Sequence, residues 1–280
     1  MDATAYLCYP TQIQTMIPTS TTQTLPHEGN LDVGEQKIKI QPAPSLVLPT
    51  EPLPPTTTDP RVLILYGAPK VGKTSILSQL PGCLIVDCED GTDYLTALKV
   101  KAHNMDDLEK IAMALRTPPG QYPFIAVDTV SAVEDWAEIR GTEGYKHNPT
   151  GKNFKGSSVL ELPHGHGYLW LRLAFTELLG MFSGTTRRLI LVCHIRDKFL
   201  DKGGQEVAVK DLELTGKIRN ITASRADAIG YLYRNLATNQ GNLMVSFQTF
   251  EHVSCGSRCE HLKGQNFEFD WKKIYKELKP

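Results

Sequence analysis

Gly67-Ala68-Pro69-Lys70-Val71-Gly72-Lys73-Thr74 follows the spacing G-x-x-x-x-G-K-[ST], a pattern suited to holding a polyphosphate. Glycines let the backbone turn its N–H groups inward around phosphate oxygens. A helix opening near Lys73 adds its positive end. Lys73 would neutralise the β- and γ-phosphates and the Thr74 hydroxyl would hold Mg2+, so the expected nucleotide contacts run through Gly67, Ala68, Pro69, Lys70, Val71, Gly72, Lys73, Thr74 and Ser75. The metal needs a second oxygen ligand at the end of a nearby strand. Phe124-Ile125-Ala126-Val127-Asp128 supplies Asp128, the role a Walker-B Asp takes. Hydrolysis also needs a base to orient or deprotonate water. Asp128 is followed by Thr129 rather than an acid, so the base is sought on Leu84-Ile85-Val86-Asp87-Cys88-Glu89-Asp90. We assign it to Glu89, with Asp87 and Asp90 as alternatives and helix capping as the competing role. No [NT]-K-x-D motif is found, and Asp128, followed by Thr129-Val130-Ser131, does not open a D-x-x-G switch, so ATP is expected rather than GTP.

A second chemistry is suggested by residues 144–158, where Lys146, Lys152 and Lys155 occur without an acid and Tyr145 and Phe154 are interleaved. Cations meet phosphates and rings stack on bases, which suits single-stranded DNA. A solvated insertion is the plainer alternative. The hairpin at Lys198–Lys210 is a weaker candidate, because Asp201, Glu206 and Asp211 offset its lysines. His252, Cys255, Cys259 and His261 could supply four metal ligands, but their spacing departs from the usual C-x2-C zinc pairing.

These groups require an alternating α/β domain to position them. Strands are expected at Arg61–Tyr66, Cys83–Asp87, Phe124–Asp128 and Arg188–His194. Helices are expected at Lys73–Leu80, Thr92–Leu98, Met105–Arg116, Ser131–Arg140 and Tyr168–Phe182, with a long loop over 141–166. That alternation implies right-handed crossovers and a mainly parallel sheet. Hairpins follow, one turning at 201–204 and one joining Asp227–Arg234 to Leu243–Glu251. The first sixty residues hold 10 of the 18 prolines and 11 threonines, and six acids against two lysines. Residues 1–58 are therefore read as a flexible tail, apart from edge-strand candidates at Ile38–Ile40 and Ser45–Leu48, and 59–280 as the ATPase domain. With a net of −1 overall and −4 in those sixty residues, the remainder carries +3. An anion-binding surface must then be local. No run of about 18 apolar residues occurs, six cysteines are too few and scattered for a disulfide scaffold, and the first ten residues carry no basic stretch ahead of an apolar one. A cytoplasmic protein without membrane contact is expected.

The series G-A-P-K-V-G-K-T, L-I-V-D-C-E-D-G and F-I-A-V-D-T-V resembles the RecA-like P-loop ATPases over roughly residues 60–275. It is most similar to phage nucleotide-binding proteins with an AAA-type domain, among them phage single-strand-annealing ATPases. The resemblance implies a polar sensor of the γ-phosphate at the end of the fourth core strand, where Leu189-Ile190-Leu191-Val192-Cys193 leads to His194. A buried structural histidine is the alternative. Related hexameric helicases place a K-x-R pair on a strand that reaches the neighbouring subunit's γ-phosphate. Lys217 and Arg219 match that spacing, and alternate residues of a strand share a face. The resemblance implies a DNA-stimulated ATPase in phage-type recombination, by annealing or strand exchange. It further implies a ring or filament of identical subunits and a phage single-strand-binding protein as a further partner. The rivals are a P-loop motor or helicase-loader subunit acting through protein partners, and a nucleotide-gated DNA-binding module with negligible turnover.

Overall fold

Period-two alternation decides which side of the sheet each apolar residue enters. In β1 (Val62–Gly67), Leu63 and Leu65 join one core while Ile64 and Tyr66 join the other. The same split divides β2 (Cys83–Asp87) and β4 (Phe124–Asp128). Because both faces are covered, these strands read as continuous apolar runs rather than as alternating ones. The computed structural model describes residues 48–118, 120–182, 184–202, 205–235, 241–249 and 253–278. One compact unit opens at Pro54 and contains every element below. Most of the expected tail and its edge-strand candidates, His252 of the imagined zinc set, and the turn residues 203–204 lie outside the described residues. Among the described residues no group of three metal-ligating side chains gathers, and no helix is long and apolar enough to cross a membrane.

The remaining elements are α1 (Lys73–Ser78), β3 (Leu98–Lys101), α2 (Met105–Ala114), α3 (Val130–His147), α4 (Gly167–Phe182), β5 (Arg188–Lys202), β6 (Gln205–Leu212), α5 (Gly216–Arg225), β7 (Ala228–Asn235), β8 (Asn242–Ser246), β9 (Gly256–Ser257), β10 (Asn266–Glu268) and α6 (Trp271–Ile274). The strand order is β10-β8-β7-β1-β5-β4-β2-β3. Along that order every pairing from β7 to β3 is parallel, whereas β8 and β10 add antiparallel strands at the far edge, and off it β6 and β9 pair antiparallel with β5 and β7. Helices α2, α3 and α4 bury Leu108, Val133, Leu171, Phe175 and Leu178 on one face of the sheet. Helix α1 and the C-terminal α6 bury Ile76, Leu77, Trp271 and Ile274 on the other. The architecture is thus α/β, a mostly parallel sheet flanked by helices with antiparallel strands toward the C-terminus.

Four expectations need correction. Thr92–Leu98 is not a helix. The Asp87 carboxylate draws the chain into a turn by accepting from Gly91 N (3.1 Å) and Thr92 N (2.9 Å), and Leu98–Lys101 then pairs with β2. The loop expected over 141–166 begins at Asn148 rather than at Gly141, because α3 continues to His147. Short 3-10 turns at Pro149–Gly151, Val159–Glu161 and Pro163–Gly165 fill much of the rest. β5 does not stop at His194 but runs to Lys202, where its outer half pairs with β6 from Ile195↔Leu212 onward. Lys217 and Arg219 lie on helix α5, not on a strand. Two positions apart on a helix, they point to different sides, and Arg219 is held by Asp211 at 2.6 Å. The geometry expected of a shared-face pair reaching a neighbour is absent.

Candidate functional site

The parallel registers bring the C-terminal ends of four strands level. Gly67 of β1 pairs with His194 of β5, Val192 of β5 with Asp128 of β4, and Asp128 with Asp87 of β2. In open α/β sheets ligands bind beyond these ends. The loop leaving β1 turns tightly there. A Cβ on Gly67 would sit 2.5 Å from the Leu232 carbonyl oxygen, and Gly72 has φ +116°, so both positions need glycine. Helix α1 starts at once with Lys73, whose side chain is buried. Its Nζ donates to Gly67 O and Ala68 O, each at 3.0 Å, and stands 3.4 Å from His194 Nδ1. Burial pushes the lysine below its ordinary pKa, while Asp128 and Glu89 oppose that shift.

Thr74 Oγ1 donates to Asp128 Oδ2 at 2.7 Å, so the residues expected to hold Mg2+ adjoin each other. Asp128 is 4% exposed. Burial pushes its carboxyl up to about 6; Glu89 and Asp87 add to the shift, and the Thr74 bond and Lys73 oppose it.

The three acids after β2 separate clearly. Asp87 is 1% exposed and accepts from Glu89 N, Gly91 N, Thr92 N and Thr92 Oγ1. Burial would raise its pKa, but those four bonds hold it below the usual carboxylate range. It builds the turn. Asp90 faces outward and pairs with Lys101 at 2.7 Å. Of the three, Glu89 is the one that turns into the site. Its Oε1 accepts from Thr129 Oγ1 at 2.7 Å, and both its oxygens lie 3.1 Å from His194 Nε2. The His194 bond is the chief reason its pKa lies below the ordinary value.

His194 therefore bridges Lys73 and Glu89. A neutral ring protonated on Nε2 satisfies both contacts, with Nδ1 accepting from Lys73 and Nε2–H donating to Glu89. Its backbone N donates to Ser131 Oγ at 3.3 Å. Sequence reasoning missed Thr129, Ser131 and Arg234. Thr129 sat beside Asp128 in plain view. Arg234 had no local signal, yet from the end of β7 its Nε donates to Val71 O at 3.1 Å and its Nη1 to Gly241 O at 3.0 Å, bracing the phosphate loop.

The cationic segment is elsewhere and more ordered than a free loop. Tyr145 and Lys146 occupy the last turn of α3. Tyr145 packs edge-on against Phe154 (5.3 Å between centroids) and Trp170 (5.6 Å). Lys146 Nζ lies 6.0 Å from the Phe154 ring centre. Lys152 and Lys155 are exposed. The two rings expected to stack on bases thus already pack on each other. Lys217 is exposed at the start of α5, and none of these residues adjoins Lys73 or Asp128 in the contacts above.

A search of the curated proteins found no match. Among solved structures, the RadB recombinase aligns at 13% identity with a TM-score of 0.41, covering 78% of this chain and 90% of that one. A KaiC-like protein from the hyperthermophilic archaeon Pyrococcus horikoshii OT3 aligns at 10% identity with a TM-score of 0.40, covering 76% and 87%. Likenesses of that size fix neither substrate nor partner, and the fold stands on its own strand order. A family model described as an AAA domain matches residues 59–259. That span takes in the phosphate loop, Glu89, Asp128 and His194, and the chain belongs to this AAA domain family of P-loop ATPases.

Proposed function

We propose that the protein binds and hydrolyses ATP with Mg2+ and acts on single-stranded DNA in phage-type recombination, by annealing or strand exchange. The observation that carries the hydrolytic part is the Glu89 carboxylate, held between Thr129 and His194 beside the buried Lys73. Thr74 and Asp128 offer adjoining oxygen ligands of the kind Mg2+ prefers. When bound, the metal would supply charge neutralisation at the β- and γ-phosphates. Lys73 would exchange its bonds to Gly67 O and Ala68 O for phosphate oxygens, and the loop residues after Pro69, which itself has no N–H, would turn their N–H groups toward the same anion. Glu89, ionised at neutral pH, would orient water and accept its proton. His194 fixes the Glu89 carboxylate and touches Lys73, so it would report at Glu89 on the contacts that Lys73 makes.

The DNA part rests on the acid-free stretch 144–158 and its three lysines. Assembly into a ring or filament, pairing with a phage single-strand-binding protein, and work in the cytoplasm of a host cell belong to the same proposal. An ATPase assay with and without single-stranded DNA tests it. Hydrolysis stimulated by DNA is expected. Hydrolysis indifferent to DNA would favour a motor or loader subunit acting through protein partners.

A further inference from the structure

Outside the nucleotide site, a cavity of about 820 Å³ opens between the end of α3, the start of α4 and the start of α5. Its walls combine rings and cations. Tyr145, Tyr168 and Trp170 contribute the rings, and His166, Arg172 and Lys217 the basic groups. No carboxylate lines it. Arg172 and Lys217 have no acidic partner among the described residues, unlike Arg219 nearby on α5, which Asp211 holds. Tyr168 is 51% exposed, and among the described residues no other ring packs against it. Tyr145 and Trp170 are half-buried and brace each other edge to face, which makes that wall stiff.

A groove that offers an open ring, two uncompensated cations and no acid is complementary to a ligand with flat apolar faces and negative charge repeated along it. Unpaired nucleotides have both properties, whereas an acidic peptide would leave the rings idle and a duplex hides its base faces. The floor is also tied to the nucleotide site. Thr215 donates to Glu134 of α3. Two residues earlier, Glu213 N donates to His194 O at 3.1 Å, and Ser131 Oγ donates to Glu213 O at 3.3 Å.

The geometry points to this groove as the seat of the single strand: Tyr168 stacks on a base while Arg172 and Lys217 hold the flanking phosphates. This rests on the single-stranded DNA reading above and adds, beside the 146–155 lysines, a second set of contacts on α4 and α5. It also gives Lys217 a task within its own subunit.

The test is fluorescence anisotropy with a labelled oligo-thymidine of about 20 nucleotides, titrated at several salt concentrations, with thermal melting as the check on folding. Tyr168→Ala should weaken binding about 5- to 150-fold, and Tyr168→Phe, which keeps the ring, should restore it to within about twofold. Arg172→Gln with Lys217→Gln should lower the salt slope by about 1.4, two contacts at about 0.7 each. If the unaltered protein binds the oligonucleotide and these variants bind it equally well with the same slope, the groove assignment is overturned and the DNA reading stands. If Tyr168→Phe loses as much as Tyr168→Ala, stacking is refuted. If the unaltered protein does not bind the oligonucleotide at all, the groove and the DNA reading fall together.

Discussion

Replacing Glu89 by Gln isolates one proton-transfer step. The Glu89 Oε1 position accepts from both Thr129 Oγ1 (2.7 Å) and His194 Nε2 (3.1 Å). An amide oxygen there can accept both bonds, so only the second His194 contact, at Oε2, is given up. Neutral hydrogen bonds replace charge-assisted ones, a loss of about 1 kcal/mol, reduced further because the Glu89 side chain is 39% exposed. Folding and ATP binding should therefore change little. Chemistry should change much more. An amide cannot accept the proton, and general-base catalysis contributes about 10²- to 10⁴-fold, or about 2.7–5.5 kcal/mol. Single-turnover ATP hydrolysis is the assay, since a slow product release would hide the effect in steady state. Binding of a fluorescent ATP analogue and a melting curve are the companions. Asp90→Asn should be near neutral, because Asp90 pairs with Lys101 away from the site. Asp87→Asn should damage folding, because an NH2 group would face donors that the buried carboxylate now accepts. The reasoning fails if Glu89→Gln keeps more than about a tenth of the rate, or if Asp90→Asn reproduces the loss.

Three further outcomes are expected. Lys73→Ala should abolish measurable hydrolysis while leaving a cooperative melt, and turnover at the unaltered rate would remove Lys73 from the mechanism. Asp128 must be ionised to hold Mg2+, and its carboxyl sits at about 6. Protons then compete with the metal as pH falls below that value, so half-maximal Mg2+ should rise about tenfold per unit, and a constant requirement from neutral pH to about 5 would refute the assignment. Changing Lys146, Lys152 and Lys155 together to Ala should flatten the salt dependence of DNA binding by up to about two units of slope, at about 0.7 per contact, and an unaltered slope would leave that segment as a solvated insertion.

Legibility in the sequence followed how local each cause was. Cys83–Asp87 and Phe124–Asp128 have the bounds expected from their apolar runs, because a strand covered on both faces advertises itself over five residues. The phosphate loop was equally plain, since its glycines, lysine and threonine are contiguous. Thr92–Leu98 departs from the expected helix because what bends it is Asp87, whose carboxylate overrides the weak local preference for a helix. For Lys217 and Arg219 the resemblance to hexameric helicases implies a strand, and the residues themselves form a helix. The buried pair Ile218 and Thr222, four apart, marks the helical face that was there to be read. Of the three acids after β2, sequence alone could only rank them. Their roles separate once the turn aims Asp87 at the backbone, Asp90 at Lys101 and Glu89 at His194. Arg234 reaches Val71 across 163 residues, a contact that exists only because β7 lies parallel to β1.

β5 changes partners without a spacer. His194 is its last residue in register with β1, and Ile195 is its first in register with β6. One uninterrupted strand of 15 residues, about 50 Å long at about 3.3 Å per residue, therefore belongs to the central sheet at one end and to a two-stranded arm with β6 at the other. Adding or deleting a single residue between Cys193 and Ile195 would invert the pleat of the arm relative to the central sheet. Among descendants of this chain, length variation in the β5–β6 ladder should consequently come in pairs of residues, one on each strand. The junction at His194 should stay fixed in length even where its composition drifts.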